Sequence, residues 1–402
     1  MTDTLSKQIL IESIDVTADV LFPDADVWAT LTVNNTLSRA VSAEAVLVLK
    51  QGDYIQKIAL SEELAPGENT IEALFAVKEA LLWLPNGSGE ASVYELMAGI
   101  KAEGAVQDAA SRPVALCETE LCGGRAIVNG KAVSAPVAVV DKPLSALAGE
   151  EIEEVKALGF CGIKAPDVSG REARESCAAA GLLVFGPGTD IPLLPLPAEK
   201  GIPEQLRAAR EAAEKIREKA EARELFGIKY PRASEGMLRY FVRRALQPAA
   251  LSLRGGLLRM SNRSLLPFKG RLFLDGAPAR EVKIGPGETL EEPFSGGFAR
   301  LTDGSGKTVA RAASAKAGSM PRLFVSRFLT GKDEYRLAVA ADGYAPCVEI
   351  ECSDGVVLSD NWFAIYPGES AEVIITGCAG EPQTVCRVYD PDAAASAAQD
   401  EA

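Results

Sequence analysis

Acid and base chemistry in this chain must come from carboxylates, tyrosines, lysines or cysteines, because none of its 402 residues is histidine. That absence removes Ser/His/Asp triads, Cys/His dyads, imidazole general bases and histidine-ligated zinc together. Cys117 and Cys122 stand in CETELC, and Cys347 and Cys352 in CVEIEC, both in strand-like contexts. Residues five apart on a strand point to opposite faces, so neither pair converges on one metal or closes on itself. A zinc site would need four thiolates gathered from separate places. Buried, unbonded thiols are therefore the expectation for the eight cysteines. Trp28, Trp83 and Trp362 are the three indoles, and core packing is the expected role of each.

The elements that position these groups are legible in the spacing of apolar residues. Val27 to Val33, Ala45 to Lys50, Tyr335 to Ala341 and Ala371 to Thr376 alternate as half-buried strands do. The tripeptide Pro-Gly-Glu recurs at Pro66, Pro286 and Pro367, and each is followed by alternating residues. Pro then Gly at the two central positions is type II turn chemistry, which predicts equivalent corners. An N-x-[S/T]-L string precedes the first two corners, in VNNTLSRAV and SNRSLLPFK. Short strands with regular turns indicate β-sandwiches, drawn over about 8 to 116, 249 to 318 and 319 to 391.

Residues 123 to 248 change character. Ile152, Val155 and Leu158 share one side of a helix, and FCGIKAP follows as a strand. Ser169 and Glu172 form the pattern of a capping box for a second helix, which Gly181 closes, and Leu182 to Phe185 reads as the next buried strand. A longer helix runs from Pro203 to about Glu224, with Leu206, Ala209, Ala213, Ile216 and Ala220 as its apolar stripe. That stripe is expected to rest on the helix's own domain, with a coiled-coil seam or partner surface as the other reading. The tail from Ala393 is small and polar and predicted to fray.

Bulk properties set outer bounds. Forty-two Lys and Arg against 56 Asp and Glu leave a net charge of −14, which argues against binding nucleic acid. No run is long and apolar enough to span a bilayer, and MTDTLSKQIL is too polar for a secretory leader. The expected location is cytoplasmic. The sequons at Asn34, Asn86 and Asn262 then read as turn or strand-end asparagines.

Several of these segments resemble glycoside hydrolase family 2, in particular its β-mannosidase branch. LLWLPNGSGEASVYEL resembles the W-P-N-G-x-G loop of the first immunoglobulin-like domain, and GRAIVNGKAV the strand that opens the catalytic barrel. EEVKALGFCGIKAPD with CAAAGLLVFG resembles the next two barrel strands, and MLRYFVRRALQPAALSL the exit helix and the first strand beyond it. Glu334 to Thr376, with its S-D-N-x-F and PGE strings, is the most specific match, to the C-terminal immunoglobulin-like domain.

The resemblance implies a mainly β chain in which immunoglobulin-like sandwiches flank a reduced α/β remnant of a (β/α)8 barrel. The expected domains are 1–122 (sandwich), 123–248 (remnant with the long helix), 249–318 (small sandwich) and 319–402 (C-terminal β-mannosidase-type sandwich). The family's enzymes carry a jelly roll before the first sandwich, and this chain begins at that sandwich. A full barrel takes about 250 residues and eight strands, whereas residues 123 to 248 supply three or four readable strands. The family's acid/base Glu follows an Asn, and no Asn-Glu pair occurs. Its nucleophile motif is echoed only by ELFGIKYP, where Glu224 matches after a one-residue insertion; a solvated place at the helix end is the other reading of Glu224.

No catalytic residue is therefore expected, with Glu224 and Asp167 as the acids that would act if one did. Lys164, Trp83 and Trp362 are the residues the resemblance offers to a substrate. No metal or cofactor is implied. The function expected is that of an inactive relative with a binding, scaffolding or subunit role in carbohydrate metabolism. Its partner would be another copy or another protein covering the barrel remnant, or a carbohydrate. The alternatives are a residual retaining glycosidase acting on β-mannosides or β-galactosides through two carboxylates, and a carbohydrate-binding module.

Overall fold

The computed structural model describes residues 8–196, 201–230, 236–275, 277–314, 320–353, 355–378 and 380–390. The tail expected to fray lies outside them. The chain divides into two compact units. The first holds Met1–Ala135, Val140–Lys156 and Cys161–Asp190; the second holds Pro136–Val139, Ala157–Phe160 and Ile191–Ala402.

The first unit opens with a sandwich of seven strands: β1 (Ile9–Leu21), β2 (Asp24–Asn35), β3 (Val41–Gln51), β4 (Tyr54–Leu64), β5 (Gly67–Val77), β6 (Val93–Ala102) and β7 (Ala105–Ala115). They form two antiparallel sheets, ordered β1-β2-β5 and β4-β3-β6-β7. Every second residue of β2 and β3 is buried, so Val27, Leu31, Val33, Leu47 and Leu49 meet Phe75 and Tyr94 in one core. That parity turns Trp28 outward, against the core role expected of it. Trp28 stands between Thr17 and Leu74 on the outer face of its sheet and is 40% exposed.

A three-stranded meander follows, of β8 (Thr119–Cys122), β9 (Arg125–Val128) and β10 (Lys131–Val133). The NGK string is thus a hairpin and not a barrel strand. Asn129 and Gly130 both take positive φ, 49° and 72°, as a two-residue hairpin turn requires.

Between residues 135 and 245 helices alternate with short strands: β11 (Ala135–Val139), α1 (Gly149–Ala157), β12 (Gly162–Lys164), α2 (Arg171–Ala180), β13 (Leu183–Phe185), β14 (Leu193–Leu194), α3 (Ile202–Glu221), β15 (Leu225–Lys229) and α4 (Gly236–Ala245). In the first unit β12 and β13 pair in parallel, and in the second so do β14 and β15. Gly181 takes φ 79° and ends α2, its N–H reaching the Ala178 carbonyl. The capping box is absent. Gly170 occupies the N-cap, and the Ser169 hydroxyl and N–H are already taken by the Asp167 carboxylate two residues before it, at 3.0 and 2.9 Å.

The rest of the second unit is two further sandwiches. The smaller comprises β16 (Ala249–Arg254), β17 (Leu257–Asn262), β18 (Phe268–Leu274), β19 (Arg280–Ile284), β20 (Thr289–Pro293), β21 (Phe298–Asp303) and β22 (Thr308–Ala313), as sheets β16-β17-β20 and β19-β18-β21-β22. The last comprises β23 (Leu323–Gly331), β24 (Glu334–Ala341), β25 (Ala345–Cys352), β26 (Val357–Leu358), β27 (Phe363–Ile365), β28 (Ser370–Thr376) and β29 (Thr384–Val388), as sheets β23-β24-β28-β26 and β27-β25-β29.

The three Pro-Gly-Glu corners share a positive φ at Gly67, Gly287 and Gly368. Glu288 and Glu369 close theirs through N–H bonds to Gly285 and Tyr366, while Asn69 ties the first with its side-chain amide. The asparagine upstream is also shared, one residue displaced from the string that suggested it. Asn35, not Asn34, corresponds to Asn262. Each is buried, accepts the N–H two residues on, and donates to the carbonyl four residues on, Arg39 or Leu266. Each also donates to the segment entering the corner: Leu64 in one sandwich, Ile284 and Gly285 in the other.

Candidate functional site

In parallel β/α architectures chemistry gathers at the carboxyl ends of the strands. In the first unit that end follows β12 and β13. Lys164 donates its ammonium to the Thr189 carbonyl at 2.6 Å. Asp167 is exposed, and besides holding Ser169 its backbone carbonyl accepts the Leu144 N–H. Both side chains are thus tied into loop geometry.

Trp83 is buried and committed elsewhere. Its indole N–H donates to the Ala178 carbonyl at 2.7 Å, and three residues on the Asn86 amide donates to the Lys156 carbonyl at 2.8 Å. These carbonyls belong to the last turns of α2 and α1, where a helix leaves acceptors under-used; the Ala178 carbonyl takes the indole besides the Gly181 N–H. The W-x-P-N-G loop therefore caps two helices at once, and the Asn86 N–H adds a bond to Gly181.

In the second unit Glu224 lies between α3 and β15, at the amino end of the strand and opposite to where barrel chemistry sits. Its carboxylate pairs with the Lys219 ammonium at 2.6 Å. The helix before it is seated as the apolar stripe predicts: Leu206, Ala209, Ala213, Ile216 and Ala220 are all buried. Leu206 and Ala209 pack with Met237 of α4 but also with Cys347 and Trp362 of the last sandwich, so the stripe does not rest on its own expected domain alone.

Trp362 is 8% exposed, takes φ 57° and lies against the Tyr389 ring. Its neighbours in the S-D-N-x-F string fasten the last sandwich to α4. Asp360 receives both Arg243 and Arg244, at 2.7 and 3.0 Å. Those guanidiniums also reach the carbonyls of Ser359, Asn361 and Trp362. The Asn361 side chain pairs with both backbone groups of Ile350, as a neighbouring strand would. The role of Asp360 was missed from sequence, although adjacent arginines at the end of an amphipathic helix signal an acidic receiver.

A cleft of about 1300 Å³ in the second unit is walled by α3, α4, β16 and β22. Glu224 does not line it; Trp362 does. Asp360 in its wall is held by arginines, and Asp303 by a turn whose Ser305 hydroxyl keeps its carboxyl below the ordinary value. Next to the cleft, Glu369 of the third corner lies at 2.9 Å from Arg300 and 3.7 Å from Arg311 of the smaller sandwich. In this cleft and beside it, Asp360 and Glu369 are thus each held by a pair of arginines.

All eight cysteines are unbonded, but only Cys161, Cys177, Cys347 and Cys378 are buried as expected; Cys117, Cys352 and Cys386 are half-buried and Cys122 is exposed. Cys347 packs by Trp362, while Cys352 faces the last sandwich's core, as residues five apart should. Burial pushes Cys161 and Cys347 up to about 12, and Cys117, Cys177 and Cys352 up to about 11. Ellman's reagent at pH 8 should therefore meet one fast thiol, Cys122, with the rest reacting on denaturation. A second fast equivalent that persists in Cys122→Ser would contradict this burial. Among the described residues no cluster of three or more acidic or cysteine side chains is arranged to hold a metal.

The chain thus combines immunoglobulin-like sandwiches with short parallel β/α segments. Residues 320–390 match the Ig_mannosidase family, described as an Ig-fold domain. The chain is similar in structure to a β-D-mannosidase from Dictyoglomus thermophilum, with TM-score 0.64 and 12% identity over 95% of this chain and 77% of that one. It is also similar to an exo-chitosanase from Amycolatopsis orientalis, with TM-score 0.59 and 12% identity over 96% and 78%. No curated protein matches it. The likeness is one of fold, and it agrees with the β-mannosidase-like resemblance of the sequence motifs.

Proposed function

We propose that the protein is a β-mannosidase-like relative of the family 2 glycosidases that does not hydrolyse glycosides and serves a binding, scaffolding or subunit role in carbohydrate metabolism. What supports this reading most is the place of Glu224. A retaining glycosidase needs two acids about 5 Å apart at the carboxyl ends of barrel strands. Glu224 stands at the opposite end of β15, paired with Lys219. Two strand pairs among the described residues run parallel, β12 with β13 and β14 with β15, against eight parallel strands in a barrel, which agrees with a reduced barrel. A partner or second copy covering its strand edges is part of the proposal. Eight unpaired cysteines favour a reducing, cytoplasmic setting, and no described helix is long and apolar enough to cross a membrane.

Aryl β-mannosides and β-galactosides should be released no faster with the protein than in buffer. Turnover abolished by Glu224→Gln or Asp167→Asn would instead establish the residual glycosidase.

A further inference from the structure

Among the described residues β23 is an edge strand of the last sandwich with no strand paired on its outer side. β23 ends the order β23-β24-β28-β26, and its large side chains are exposed on both faces: Phe324 51%, Phe328 54%, Val325 42% and Leu329 68%. A nine-residue edge without proline or lysine is what soluble proteins normally avoid, because it templates further strand pairing.

The backbone parity of this edge is fixed. The Asp342 N–H donates to the Arg322 carbonyl, so residue 322 directs its backbone toward β24. Alternation along an antiparallel pair then sends 324, 326 and 328 the same way, and turns the N–H and C=O groups of 323, 325, 327 and 329 to the open side.

We propose that this edge is an interface with a second copy of the chain, in which the two β23 strands pair antiparallel about a twofold axis at Ser326. The sequence Leu323-Phe-Val-Ser-Arg-Phe-Leu329 is nearly palindromic in chemistry about that serine. This register sets Phe324 against Phe328 of the second copy and Leu323 against its Leu329, so both faces are matched, as a twofold interface demands. Arg327 meets Val325, and Arg322 meets Thr330. Moving the axis by one residue to Arg327 would oppose two guanidiniums and separate the phenylalanines. The two four-stranded sheets become one of eight strands. Such an interface lies at the small end of specific ones, below about 1,200 Å², so the dimer is reversible and concentration-dependent.

Sedimentation velocity of the full chain across rising concentration tests this. The wild type should shift from monomer toward dimer, and Ser326→Lys, an exposed site on the axis, should stay monomeric. In a Cys122→Ser background, Ser326→Cys should form a disulfide-linked dimer on mild oxidation, since facing residues of a non-hydrogen-bonded pair lie about 4.5 Å apart at Cα. Thr330→Cys, which faces Arg322, should not. A wild type that stays monomeric, a dimer that survives Ser326→Lys, or equal cross-linking at 326 and 330 would each overturn the proposal.

Discussion

Arg263→Ala is expected to destabilise the second unit by about 4 kcal/mol, more than the loss of any of the buried asparagines. The Arg263 guanidinium is buried and donates to the carbonyls of Ala245, at 2.9 Å, and Gln247, where α4 ends. Truncation takes the donor from the buried Ala245 carbonyl and the half-buried Gln247 carbonyl and removes a cation from the negative end of a helix. Burial also costs the native state, because it pulls the guanidinium down to about 10. Between about 10 and the ordinary value of 12.5 the unfolded chain holds the proton more often than the native one, so Arg263 adds stability as pH rises through that window and not below it. Arg263→Met, which removes the buried charge with the cap, should lose less than the alanine variant. Its deficit against wild type should widen above about pH 10. Equal melting of all three proteins in calorimetry would refute the capping role.

Asn262→Ala should cost about 3 kcal/mol in the same unit, since three carbonyls lose their donor and the Ser264 N–H its acceptor. Asn35→Ala removes the equivalent bonds in the first unit and should cost nearly as much. Hydrogen exchange of β17 to β19 reads the first variant locally, where a whole-chain melt would blur two units. Asn262→Asp separates shape from donation: it keeps the Ser264 contact, faces an oxygen toward three carbonyls, and should be no better than alanine. Loss under about 1 kcal/mol in either variant would mean that water replaces the amide.

The sandwiches were legible because half-buried strands alternate, and the three corners because only glycine takes their positive φ cheaply. Strand parity, which decides which of two neighbours points inward, accounts for the two residues that differ from expectation in the first sandwich. Val33 and Leu31 are core residues, so Asn35 joins them and Asn34 faces solvent; by the same count Val27 and Ala29 are inside and Trp28 cannot be. The capping box failed for a different reason: Asp167 competes for Ser169 at shorter range than the helix end does. At the candidate site, Glu224 could be named from sequence but not placed. Which end of β15 it occupies depends on where α3 stops, and helix ends are the least certain part of a periodic pattern.

Two of the strings that carry the family resemblance, Trp83 to Gly89 and Ser359 to Phe363, use their side chains to cap α1 and α2 and to grip α4. Their demands are those of joinery. A chain can lose every catalytic acid while such fastenings remain necessary, because without them its sandwiches would come loose from the helices. Searches keyed on these strings will therefore gather proteins by how their parts are bolted together, enzymes and non-enzymes alike, and sorting the two requires looking at strand ends instead.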